Sequence, residues 1–231
     1  MHYLLGLLLA LMSLSVYAQV PQQFELVYRF TFNGQYLGKV TDRFQRLSGQ
    51  QYQLTSVAKP EGNLALLLPT LSLTSKGAFK SQQLVPTSYR QVRSNAPQKA
   101  AQASLDWSRK LLTHQYKGKT EQEALPSGTQ DALSQLYVFS IMENLPGKFE
   151  MPVTNGRHLL TYRYEKFPAE PIVTPLGSFE TVEYRRIAGP DENAISVWVA
   201  PALHHLPLRI RVKEDSGVFE QQLIGMNYRA T

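Results

Sequence analysis

Between Ile172 and Tyr228 the chain repeats one pattern: a short run in which apolar and polar residues alternate, then a cluster of turn formers. Leu176 to Tyr184 is one such run, and Gly189-Pro190-Asp191-Glu192-Asn193 is the turn beyond it. Ile195 to Val199, Leu206 to Val212 and Phe219 to Tyr228 follow, with Asp215-Ser216-Gly217 between the last two. Successive side chains of a strand project to opposite faces, so each run buries one face and wets the other. Their spacing predicts antiparallel strands joined by tight turns, in a sheet, barrel or sandwich.

The same pattern governs the first half of the chain. Phe24, Leu26, Tyr28, Phe30 and Phe32 alternate with Glu25, Val27, Arg29 and Thr31, which gives one strongly aromatic face. Asn33-Gly34 comes next, and both residue types tolerate the positive φ that a two-residue hairpin requires. Further strands are expected over Tyr36 to Leu47, Gln51 to Lys59, Leu71 to Phe79 and Leu84 to Arg93, where Pro86 marks an edge or a bulge. Ala101 to Trp107 and Leu111 to Tyr116 alternate again, and Asn155-Gly156 reads as a second hairpin turn.

Two segments interrupt the alternation. From Thr129 to Asn144 the spacing predicts a helix, capped by Thr129 or Ser127 and carrying Asp131 in its first turn. Leu133, Leu136, Tyr137, Ser140 and Ile141 trace one face of it, and Pro146 lies just past its end. The second segment, Asn63 to Leu68, is almost continuously apolar between Pro60 and Pro69. It reads as a turn or loop under the sheet, or as an apolar lip at a cavity mouth. The expected fold is mainly β: one large antiparallel, strongly curved sheet, half-barrel or barrel, with one central helix packed on it or plugging it. Residues 19–231 form this single domain, because no linker or low-complexity tract divides them.

Residues 1–18 are of another kind. Leu4 to Val16 is nearly unbroken apolar sequence and Ala18 is the small residue a signal peptidase prefers, so a cleaved signal and a mature terminus at Gln19 are expected. The run is shorter than the roughly 20 residues a spanning helix needs. The chain has no cysteine, hence no disulfide and no thiol to carry a lipid. Together these features point to the periplasm, in a form that is neither a lipoprotein nor spans the membrane. The net charge of +6 favours anionic partners such as lipid headgroups, but the basic residues are scattered and no nucleic-acid motif accompanies them.

Three places in the sequence form a recognisable set. An aromatic strand precedes a Gly-containing hairpin at Phe24 to Tyr28 and Asn33 to Gly38. Asp131-Ala132-Leu133-Ser134-Gln135-Leu136-Tyr137 follows in the middle. Gly177 to Thr181, Trp198 to Pro201 and Leu206 to Arg209 complete the set. In this order they resemble the bacterial secreted domain-of-unknown-function 3108 family. The resemblance implies a curved sheet with a helix at its concave side, broadly like periplasmic carriers of lipids and lipoproteins of the LolA and LolB type. It implies no activity.

Reactive constellations are weak. His204-His205 would point to opposite faces of a strand and converge on no metal. Lys117-Gly118-Lys119-Thr120 lacks the upstream Gly of a phosphate loop and reads as a β-turn. No Gly-x-Ser-x-Gly occurs, Ser134 and Asp131 have no neighbouring His, and Glu180 and Glu183 fall on opposite strand faces. A non-enzymatic protein without cofactor or metal is therefore expected. It would bind a hydrophobic ligand or an envelope lipoprotein through Leu64, Leu66, Leu67, Leu68, Phe30, Phe32, Leu136 and Tyr137. A structural or partner-binding envelope protein with a filled core is the alternative, and a hydrolase the remote one, should a His, a hydroxyl and an acid meet in space.

Overall fold

A computed structural model describes residues 21–81, 83–141, 145–189 and 192–230. The expected signal segment, residues 1–18, lies outside the described residues. The N-terminal half supplies β1 (Pro21–Phe32), β2 (Gln35–Arg46), β3 (Gln51–Pro60), β4 (Leu71–Lys80) and β5 (Gln83–Arg93). The shorter β6 (Ala101–Asp106), β7 (Leu111–Tyr116) and β8 (Lys119–Ala124) follow. Beyond a two-residue β9 (Gln130–Asp131) come β10 (Lys148–Thr154), β11 (Leu159–Thr174) and β12 (Gly177–Arg186). β13 (Ala194–Ala200), β14 (Leu206–Glu214) and β15 (Gly217–Ala230) complete a single 15-stranded sheet.

The strand order is β8-β7-β6-β5-β4-β3-β2-β1-β15-β14-β13-β12-β11-β10-β9. Nearly every strand pairs with its sequence neighbour through a short turn, so most of the ladder forms at low loop-closure cost. The exception is β1 against β15, which joins the two halves in register from Pro21↔Ala230 to Phe32↔Phe219. All pairings are antiparallel except β9 with β10.

No backbone ladder among the described residues joins the two ends of the sheet; they meet through side chains. Ser75 of β4 donates to the Asp131 carboxylate of β9. Gln130 Nε2 donates to Leu84 O at 2.9 Å. His114 Nε2 and Thr154 Oγ1 lie 2.8 Å apart across β7 and β10. The Arg157 guanidinium sits 4.1 Å from the Tyr116 ring centre. At Gly156 a Cβ would come within 3.0 Å of the Ala101 backbone, so only glycine lets the β10–β11 loop seat on β6.

The aromatic face of β1 faces the core as expected for Phe24, Leu26 and Tyr28, all buried. Phe30 and Phe32, at the far end of the strand, are half-buried, and both rings pack on Phe219. Asn33 (φ 46°) and Gly34 (φ 79°) form the two-residue turn. Pro86 lies opposite Gly77 at a register shift, where β5 pairs with β4 only and its ladder with β6 has not begun, so it marks both a bulge and a local edge. Asn155-Gly156 is not a two-residue hairpin: Thr154 pairs with Leu159, leaving a four-residue loop. Asn155 Oδ1 accepts the amides of Arg157 (2.9 Å) and His158 (3.0 Å), which holds the wider turn.

The central helix is shorter than its apolar spacing predicts. Within 129–144 the chain first adds β9, then makes a 3₁₀ turn, Ser134–Tyr137, and only one α-helical turn, α1 (Val138–Ile141). Residues 142–144 lie outside the described residues. Gln130–Asp131 are drawn into pairing with β10, so helical turns begin only after Asp131, which with Ser134 forms a reciprocal cap. Asp131 Oδ1 accepts the amides of Leu133 (2.9 Å) and Ser134 (2.8 Å), and Ser134 Oγ accepts the amide of Asp131 at 2.9 Å. Thr129 Oγ1 donates to Pro126 O at 2.7 Å rather than capping a helix. The apolar stripe survives: Leu133, Tyr137 and Ile141 are buried, and Leu136 is half-buried. The segment plugs the sheet as a compact turn.

Candidate functional site

The concave interior is packed. Tyr28, Tyr52, Tyr89, Tyr137, Tyr164, Phe24 and Phe44 are its largest fully buried side chains. Phe24 stacks on Phe44 at 5.2 Å and on Tyr137 at 5.1 Å. Buried tyrosine hydroxyls need partners; Tyr89 donates to Gln91 Oε1 on its own strand at 3.2 Å, and the other four find theirs on another element. Tyr28 donates to Pro207 O at 3.1 Å, Tyr164 to Gln135 Oε1 at 2.9 Å and Tyr137 to the Asp42 carboxylate, while Tyr52 lies 2.8 Å from Ser75 Oγ. Asp42 and Asp131 are both buried, and burial lifts each carboxyl to about 6. Asp42 Oδ1 has no hydrogen-bond partner.

One hydroxyl, imidazole and carboxylate do converge. Thr154 Oγ1 is 2.8 Å from His114 Nε2, and His114 Nδ1 is 3.4 Å from Glu123 Oε1. Thr154 is fully buried and its hydroxyl also accepts the Gly156 amide at 3.0 Å. A nucleophile must reach its substrate, and this one is walled in. The trio clasps β7 to β10 and β8, and burial holds the His114 pKa below the ordinary imidazole value. Ser134 and Asp131 are likewise spent on backbone amides.

The feature best suited to a ligand is an apolar recess of about 240 Å³ beside α1. Leu84, Val138, Ile141, Leu145, Phe149 and Met151 line it, together with Pro146 and Pro152. Gln83, Ser127, Gln130 and Glu150 are the polar groups at its wall; Gln130 is 7% exposed, its Nε2 is bonded to Leu84 O, and its Oε1 has no partner among the described residues. A buried acceptor left unpaired costs about 1–3 kcal/mol, so a donor entering the recess would relieve that cost. A larger groove of about 430 Å³ crosses β4 to β7. Its lining of Thr74, Lys76, Ser88, Arg90, Gln102, Ser104, Thr113 and Gln115 is the outward, solvated face of those strands.

The residues singled out from sequence are divided between opposite ends of the strands. Tyr137 and Leu136 belong to the plug, where Tyr137 is locked in the core and Leu136 packs against both core clusters. Phe30 and Phe32 lie at the other end, 5.8 and 4.7 Å from the Phe219 ring. That end also carries the β3–β4 loop, with Leu64 half-buried and Leu66, Leu67 and Leu68 exposed by 89%, 76% and 40%. The eight therefore do not line one pocket. Gln130, Leu84, Phe149 and Met151 went unnoticed because only the meeting of β5, β9 and β10 brings them together. His204 and His205 sit in a left-handed turn (φ 53° and 55°), not on a strand, and the His204 ring stacks on Tyr228 at 4.5 Å. Lys117 (φ 50°) and Gly118 (φ 76°) form the expected turn between β7 and β8. Among the described residues no helix is long and apolar enough to cross a membrane.

Comparison with known proteins bears on the fold. A crystal structure from Brucella abortus, a beta-barrel-like protein of domain of unknown function DUF1849, superposes with a TM-score of 0.56. Its identity is 10%, covering 91% of this chain and 99% of that one. A hypothetical protein from Chlamydia trachomatis matches with a TM-score of only 0.30 at 10% identity, covering 92% of this chain and 89% of the other. A search of curated proteins finds no match. The fold described above thus has a structural counterpart, and residues 23–224 match the family described as "Protein of unknown function (DUF3108)", to which the chain belongs.

Proposed function

We propose that this is an exported, non-enzymatic binding protein of the cell envelope that holds the end of an acyl chain in the recess beside α1. The observation that carries the reading is the set of apolar walls, Leu84, Val138, Ile141, Leu145, Phe149 and Met151, that surround one recess. Ligand sites are mostly apolar with a few convergent polar groups, and the recess has that composition. Its 240 Å³ is below the roughly 300 Å³ at which pockets for whole drug-sized ligands begin. It therefore suits the terminus of a chain whose remainder lies outside, whether a free lipid or the acyl group of a lipoprotein. Export is supported by Leu4 to Val16 and Ala18, and N-terminal sequencing of protein from its native envelope should begin at Gln19. Protein recovered with Met1 intact would contradict export.

Saturable uptake of a fluorescent fatty acid tests the site. Leu145→Trp should fill the recess and abolish uptake with the far-UV spectrum unchanged, whereas a wild type without saturable uptake removes the reading. In that case the packed interior favours the second reading, a structural or partner-binding module.

A further inference from the structure

We propose that the Glu61 to Thr70 loop and the basic row beside it dock this protein on an anionic lipid surface. The loop is held out, not collapsed. A 3₁₀ turn, Gly62–Leu66, is extended by the amides of Leu67 and Leu68, which both donate to Leu64 O at 3.1 and 2.9 Å. This ordered backbone leaves Leu66 at 89% and Leu67 at 76% exposure, with Leu68 beside them. Adjacent leucines fixed in water at a loop tip form an apolar patch that single scattered surface residues do not.

The charge next to the tip identifies the surface it fits. Arg29 pairs with Lys39 across β1 and β2, and Lys39 pairs with Lys59 across β2 and β3. The three exposed cations therefore stand in one row on the outer face, just behind the loop that leaves β3 at Pro60. Glu61 is the acid at the base of the loop, and Lys39 Nζ meets it at 3.3 Å. Tyr36, itself 39% exposed, lies in the same band, with the Arg29 guanidinium 5.5 Å from its ring and its hydroxyl bonded to Glu61. Exposed leucines, a tyrosine and three cations thus adjoin one another at this loop. A bilayer offers each its partner: acyl chain, interface and anionic headgroup. The net charge of +6 adds long-range attraction to such a surface.

This docking is independent of the recess, which opens at the opposite end of the strands. Flotation of the mature protein with vesicles tests it. The wild type should float with phosphatidylethanolamine–phosphatidylglycerol vesicles, far less with phosphatidylcholine alone, and less as salt rises. Leu66→Asp with Leu67→Asp should cut flotation severalfold, and Lys39→Glu with Lys59→Glu should erase the preference for phosphatidylglycerol. Leu66 and Leu67 are exposed, so the double aspartate should not move Tm. Leu145→Trp should float like the wild type, which separates this inference from the fate of the recess. A wild type that stays unbound with phosphatidylglycerol vesicles at low salt overturns the proposal, as does a double-aspartate variant that floats undiminished. Crosslinking of Leu66 to a protein partner without vesicle binding would make the loop a protein interface and equally overturn it.

Discussion

Tyr137→Ala is expected to destabilise the fold by about 3–5 kcal/mol, the range for deleting a buried aromatic side chain. Tyr137 is fully buried, stacks on Phe24 and donates to Asp42, so the change opens a cavity and strips a buried carboxyl of its donor. For a domain of this size the melting temperature should fall by about 10 °C or more. Tyr137→Phe keeps the ring against Phe24 and removes only the hydroxyl, and should cost about 1–3 kcal/mol. Urea titrations of the three proteins check both figures. A Tyr137→Ala variant that unfolds with the wild type would show that the plug does not organise the sheet.

The second large effect is a stability that falls as pH rises through the carboxylate range. Asp42 and Asp131 each titrate at about 6 in the folded chain against an unfolded value of 3.8, because burial disfavours the charged form. Between those values the folded state binds more protons than the unfolded one, so their contribution is fully present below pH 3.8 and is lost as pH passes about 6. A shift of about two units corresponds to about 3 kcal/mol per residue at pH 8. Buried His114, whose pKa is lowered, contributes in the opposite sense and offsets part of this. Asp42→Asn isolates the effect, since the neutral amide has no charge to desolvate. Its urea midpoint should gain on that of the wild type from pH 5 to pH 8. A constant difference between the two across that interval would show that Asp42 is not held protonated by the core.

The meander was legible because period-two alternation and Asn-Gly turns are local signals. The strands from Phe24 to Tyr116 and from Leu176 to Tyr228 stand close to where their patterns place them. The apolar spacing over-reaches at the start of the helix: Leu133, Tyr137 and Ile141 do share a buried face, but Gln130–Asp131 pair with β10 and the helical turns begin only at Ser134. The apolar loop stands out from the alternating pattern, yet alternation cannot tell a leucine at a cavity rim from one in water. Leu66 and Leu67 are outward, and the interior behind them is filled by tyrosine and phenylalanine. The recess was illegible because its walls come from β5, β9, β10 and α1, which meet only when the ends of a 15-stranded sheet curl together. Nothing in the spacing of Gln130, Leu84 and Met151 announces that contact.

Native mass spectrometry of the protein purified gently from its own envelope tests the binding account most directly. The account predicts a non-covalent adduct of lipid mass on the wild type, retained by the Leu66→Asp, Leu67→Asp variant and absent from Leu145→Trp. A wild type that appears only at its polypeptide mass, or an adduct that Leu145→Trp carries equally, would contradict it.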